Sequence, residues 1–100
     1  DLLANPIIGS SWEGHCIENI IMENPKWNAS FARSSNGAEV DLILERAGKI
    51  KLFEFKTSKE PKLSRGFYEF FNTLNPLSAE IIAPVDEPYQ IKKGIWVRNV

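Results

Sequence analysis

The sequence predicts an α/β domain with elements in the order α-β-β-β-α-β-β, and three observations carry that prediction. Two segments, about Ile8 to Asn24 and Phe67 to Leu74, place apolar residues at helical spacing. Five shorter segments alternate in polarity or are rich in β-branched residues. The 100 residues are 43% hydrophobic and 25% charged, close to ordinary globular usage, which disfavours disorder and fibrous repeats. At about 100–200 residues per domain, a second independent core does not fit.

In the first helix Ile8, Trp12, Cys16 and Ile20 recur at every fourth position, with Ile17 and Ile21 beside them. Pro6 and Gly9-Ser10-Ser11 mark its start. Asn24-Pro25 marks its end, because the residue before a proline is pushed out of the helical region. Trp27, Ala29 and Phe31 then alternate with Asn28 and Ser30, a short strand that Ser34-Ser35-Asn36-Gly37 breaks. Strands at about Glu39 to Arg46 and Lys49 to Lys56 flank Ala47-Gly48 and form a hairpin. With a two-residue loop, opposed residues have numbers summing to 95, so Val40 faces Phe55, Leu42 faces Phe53 and Leu44 faces Lys51. A slip of one residue would set the apolar side of one strand against the wrong side of the other. Phe67, Phe70, Phe71 and Leu74 follow at helical spacing, with Ser64 as N-cap and Asn75-Pro76 as the stop. Ala79 to Ala83 and Ile91 to Val97 complete the chain as strands, divided by a turn from Pro84 to Pro88.

Twelve Lys and Arg against thirteen Asp and Glu leave a net charge of -1, so bulk charge alone does not hold this chain on nucleic acid. The single cysteine, Cys16, excludes an internal disulfide framework and a cysteine-based zinc cage and suits a reducing compartment. No apolar run reaches the ~18 residues that span a bilayer, and no signal-peptide pattern opens the chain, so a cytoplasmic location is expected. The first residue is Asp1 rather than Met, as expected of a piece of a longer polypeptide.

The hairpin register has a chemical consequence. It sets Asp41 directly across from Glu54, at a Cβ separation of ~4.5–5.5 Å. Like charges so placed repel unless something sits between them, and a divalent cation with hard oxygen ligands is one remedy. Lys56 lies two residues past Glu54 and points to the same side of the sheet. On the first helix, projection at about 100° per residue sets Glu13 in the middle of the apolar arc, where a carboxylate needs a partner. The alternative is structural: two partly solvated carboxylates, Lys56 in a cross-strand ion pair with Glu39, and Glu13 paired with Arg33 or Lys56.

The string Gly37-Ala38-Glu39-Val40-Asp41, the apolar strand and Gly turn after it, and Phe53-Glu54-Phe55-Lys56 together resemble the PD-(D/E)xK, or restriction-endonuclease-like, nuclease superfamily. Gly9-Ser10-Ser11-Trp12-Glu13 and the stretch from Arg33 to Asp41 are similar, more narrowly, to one branch of it. That branch is the uncharacterised C-terminal domain that follows the P-loop module in a family of prokaryotic AAA-type ATPases. The likeness is good from about Asn5 to Ser58 and beyond that extends only to the order of elements.

The resemblance implies a restriction-endonuclease-like core, α-β-β-β-α-β with an additional C-terminal strand, in which helices flank a mixed central sheet. It implies one nuclease-like domain over residues 1–100, the C-terminal fragment of a longer ATPase. It implies that Asp41 and Glu54 ligate Mg²⁺ or Mn²⁺ with the Phe55 carbonyl as a third oxygen. Glu13 is then an outer ligand through water, and Lys56 orients or deprotonates the attacking water. The implied partners are DNA and the upstream ATPase module, with no membrane. Two departures stand out: Val40 occupies the position of the motif's opening proline, and no G-x-x-x-x-G-K-[ST] string occurs, so the chain alone is not expected to hydrolyse ATP.

Other features have plainer readings. His15 and Cys16 are expected as polar-face and core residues, and Phe67, Phe70 and Phe71 as core, because their spacing is helical. Trp27 and Trp96 are expected to be buried. Lys49, Lys51, Lys56, Lys59, Lys62 and Arg65 place six of the twelve basic residues within seventeen positions. That run either tracks a phosphate backbone or forms a solvated strand edge. Two functions from different classes follow: a metal-dependent nuclease that cuts DNA by activated water, or a non-catalytic accessory module that contacts a partner of its ATPase.

Overall fold

A computed structural model describes the backbone of residues 11–33 and 39–100 and the side chains of residues 12–30 and 42–100. Its elements are α1 (Ser11–Glu23), β1 (Asn28–Arg33), β2 (Glu39–Arg46), β3 (Lys49–Phe55), α2 (Arg65–Leu74), β4 (Ser78–Ile82), β5 (Tyr89–Lys92) and β6 (Ile95–Arg98). The strands form one mixed sheet in the order β1-β2-β3-β4-β6-β5. β1, β2 and β3 are antiparallel, β3, β4 and β6 are parallel, and β5 turns back against β6. The mixed α/β class and its flanking helices agree with expectation.

The expected start of α1 near Ile8 lies outside the described residues. Its end is as predicted, and the Asn24 side-chain Nδ2 donates to the Ile20 carbonyl (2.7 Å) to close the last turn before Pro25. The β2–β3 turn has the predicted two residues. Ala47 and Gly48 both have positive φ (52° and 79°), the combination that matches strand twist in a tight hairpin. The resulting register pairs Leu42 with Phe53 and Arg46 with Lys49, as the sum of 95 requires. α2 is capped as expected: Ser64 Oγ accepts from the Phe67 amide (3.2 Å), and Asn75, in the left-handed region, donates its N–H to the Phe71 carbonyl.

The C-terminal strand departs from expectation. The segment from Ile91 to Val97 is a hairpin rather than one strand, with β5 and β6 joined at Lys93-Gly94, where Gly94 has φ +88°. An L-residue side chain strains at that angle.

Core side chains fall on two faces. Cys16, Ile17 and Ile20 of α1 pack with Leu42, Leu44, Phe53, Phe55 and Ile82 on one face. Phe67 of α2 packs with Leu52, Ile81, Ile95 and Val97 on the other. Burying each such side chain contributes roughly 1.5–3 kcal/mol, so both helices are held mainly by these faces. Phe70 and Phe71 border the second cluster as expected. Trp27 half-buries against the first. Trp96 does not follow its expectation: Ile95 and Val97 point to the α2 face, so Trp96 points the other way and stays 46% exposed.

Candidate functional site

The central strand β3 positions the site. Its buried residues alternate, with Phe53 and Phe55 toward α1 and Leu52 toward α2. Glu54 therefore points to the α2 face, and at 4% exposure it is the buried charged residue of the described chain. Burying an ionised carboxylate is costly unless hydrogen bonds and opposite charge surround it. Ser64 Oγ donates to Glu54 at 3.1 Å from both Oε1 and Oε2, and Lys56 Nζ lies 3.4 Å from Oε1. A hydrogen bond to a charged group contributes about 1.5–3 kcal/mol net, so the Ser64 contact offsets a real part of the desolvation. Lys56 N–H donates to the Ile82 carbonyl (2.9 Å) and carries the β3–β4 ladder one step past the strand. That step keeps Lys56 on the side of Glu54 while leaving its side chain 35% exposed.

Asp41 lies in β2 one residue before Leu42, which pairs with Phe53, the residue before Glu54 in β3. The side chain of Asp41 lies outside the described residues, as do those of Arg33 and Glu39. Glu13 is in the first turn of α1, half-buried. The buried residues of its helix, Cys16, Ile17 and Ile20, pack on the sheet face of Phe53 and Phe55. Phe55 is anchored by its ring in the α1 cluster, which holds the backbone at that point. Among the described residues no group of three or more His, Cys, Asp and Glu side chains is gathered to hold a metal ion.

The basic run between β3 and α2 divides. Lys51 turns to the α1 face, where its ammonium sits 4.7 Å over the Trp27 ring and donates to Asn24 Oδ1 (3.0 Å). Arg65 pairs with Glu69 at 3.5 Å on the exposed side of α2. Lys59 and Lys62 remain exposed near the α2 N-terminus. His15 is exposed and Cys16 fully buried, as expected. Burial pushes the Cys16 thiol above its ordinary value, and the Glu13 carboxylate adds to the effect, so Cys16 is a packing residue rather than a nucleophile.

The link from Ser64 to Glu54 is absent from the sequence expectations. Its signal in the sequence is an N-cap serine ten residues after a strand carboxylate, a pattern that by itself indicates only helix capping.

A mixed sheet between two helices, with a buried Glu–Ser–Lys cluster at the end of its central strand, defines this protein as a small α/β domain. The chain belongs to the family described as Domain of unknown function (DUF4143), which matches residues 8–100. It is similar to the uncharacterised protein Mb2031c of Mycobacterium bovis and the uncharacterised protein Rv2008c of Mycobacterium tuberculosis, each 29% identical over 94 residues. Those matches cover 91% of this chain but 21% of each relative, so the chain spans about a fifth of the length of the curated relatives it matches. No helix among the described residues is long and apolar enough to cross a membrane.

Proposed function

We propose that the chain is a metal-dependent, nuclease-like domain of the PD-(D/E)xK type with a restriction-endonuclease-like core, hydrolysing phosphodiester bonds of DNA in the cytoplasm. The observation that carries this reading is the buried Glu54, 3.4 Å from a half-exposed Lys56 on the same strand. An apolar residue would fill that space at lower cost, so a charge retained there supports a chemical role. Asp41 and Glu54 supply hard oxygen ligands with the Phe55 carbonyl, and this donor type suits Mg²⁺ or Mn²⁺. Such a cation, when bound, lowers the pKa of water and neutralises charge on the phosphate. Glu13 holds an outer water. Lys56, anchored by Glu54 yet open to solvent, orients the attacking water and stabilises charge on the phosphate.

Supercoiled-plasmid cleavage in Mg²⁺ or Mn²⁺ tests the proposal. The wild-type chain should nick plasmid, and Asp41→Ala and Lys56→Ala should each abolish nicking. Activity that survives both substitutions is contamination and removes the proposal.

A second reading is favoured by the 21% share of its relatives that this chain spans and by its net charge of -1. The domain then serves as a non-catalytic accessory module of an AAA-type ATPase carried by the rest of the polypeptide. Here the charged cluster is structural, plasmid stays intact, and a pull-down should show the domain associating with the remaining polypeptide supplied in trans.

A further inference from the structure

The Ser64 hydroxyl has one proton to give and lone pairs to share. The Phe67 amide, at 3.2 Å, takes a lone pair, so the cap itself directs the proton toward Glu54. Ser64 Oγ lies 3.1 Å from both carboxylate oxygens, so its single proton is shared between them. A donor equidistant from both oxygens in hydrogen-bonding geometry sits on the open edge of the carboxylate, between them. A cation needs that same edge to bind both oxygens at once.

We propose that Ser64 is a specificity-determining residue of the Glu54 site: by occupying the chelating edge of the carboxylate, it restricts a bound cation to a single Glu54 oxygen. This rests on the reading of Glu54 as a metal ligand. Ca²⁺ accepts carboxylates in bidentate mode and tolerates irregular coordination, whereas Mg²⁺ demands near-octahedral geometry and is commonly held by one or two carboxylates with several waters. Blocking the chelating edge therefore discriminates against Ca²⁺ and leaves the smaller cations unaffected. The position is held by the fold, because Ser64 is fixed by α2 while Glu54 is fixed by β3.

Calorimetric titration of the full chain with Mn²⁺ and separately with Ca²⁺ tests it, in wild type, Ser64→Ala, Ser64→Gly, Ser64→Thr and Glu54→Gln. Wild type should bind Mn²⁺ more tightly than Ca²⁺, and Glu54→Gln should lose the binding. Ser64→Ala should narrow the Mn²⁺/Ca²⁺ preference about tenfold or more, at the low end of the 10–100-fold typical of residues that orient a ligand. Ser64→Thr, which keeps the hydroxyl, should restore the preference. Ser64→Gly removes the hydroxyl with little loss of capping and serves if the alanine variant does not fold. Infrared spectra of the Ca²⁺-loaded chain should show single-oxygen carboxylate splitting in wild type and the narrower bidentate splitting in the glycine variant. An unchanged Mn²⁺/Ca²⁺ preference in foldable variants lacking the hydroxyl overturns the role of Ser64 alone. Absence of Glu54-dependent Mn²⁺ binding in wild type overturns the metal reading and this inference with it.

Discussion

Substituting alanine at Gly94 and, separately, at Gly48 gives a pair of perturbations that the structure separates. Both residues have positive φ, +88° and +79°. An alanine at either position therefore bears the left-handed penalty of about 1–2 kcal/mol. Around Gly48 a Cβ meets nothing within 4 Å, so Gly48→Ala should cost only that much. At Gly94 a Cβ would stand 2.8 Å from Phe71 Cζ and 3.4 Å from Cε1. Ordinary carbon contacts lie at about 3.5–4.0 Å, so the ring must retreat by roughly 0.7 Å or more. Overpacking of this kind adds about 1–3 kcal/mol, bringing Gly94→Ala to about 2–5 kcal/mol in total. Urea denaturation of the two variants, repeated in a Phe71→Ala background, isolates the steric part. In that background the cost at Gly94 should fall to the cost at Gly48, while Gly48→Ala should be unaffected. Equal costs in the parent background, or no relief on removing the ring, would refute the close approach of the β5–β6 turn to α2.

Further perturbations have defined outcomes. Arg98 binds Glu80 through Nε (2.6 Å) and Nη2 (3.4 Å) and lies 3.9 Å from Glu23 of α1. Because these groups are only partly exposed, Arg98→Met should cost about 1–2 kcal/mol by chemical denaturation. Asn75 caps α2 at φ 47°, so Asn75→Gly should leave thermal stability level or raised, and Asn75→Ala should lower it by about 1 kcal/mol. The Cys16 thiol is raised above 9.0 in the folded state, mainly by burial, so the folded chain keeps its proton to higher pH than the unfolded one. Stability from this group is therefore full below that value and is lost as pH rises through the folded pKa; Cys16→Ala should flatten that alkaline decline in pH-dependent denaturation. Native protein should also react slowly with a thiol reagent, and protein unfolded in urea quickly.

The β2–β3 hairpin was legible because strand periodicity and turn length constrain each other: only a two-residue loop lets Leu42 and Leu44 share a side with Phe53. The limits of α2 were legible because Ser64 and Asn75-Pro76 are local capping signals. The break at Lys93-Gly94 was not, since Ile91, Ile95 and Val97 form an apolar run that a lone glycine interrupts weakly. Strand order and the parallel pairing of β3, β4 and β6 depend on contacts distant in the chain, which no local pattern encodes. In the site, period two alone placed Glu54 and Lys56 on one side. The burial of Glu54 was invisible because it arises from β4 beside it and α2 above it. The second bond of Ser64 was hidden for the same reason, as a capping pattern specifies the backbone partner and not the neighbour across the sheet. The exposure of Trp96 is not legible because hydrophobicity says nothing about which sheet face is left uncovered.

The division of the sheet into an antiparallel half and a parallel half has a kinetic side. The turn at Ala47 and Gly48 closes a very short loop, so β2 and β3 join early and at small entropic cost. Registry between β3 and β4 must wait until the intervening helix has formed and folded back, which makes it the slower event. β3 belongs to both halves, and Glu54 on it gains its β4 neighbour Ile81 only in the late event. In a refolding time course, the secondary structure of the hairpin should appear before the carboxylate is shielded, and the chain should acquire its buried charge last.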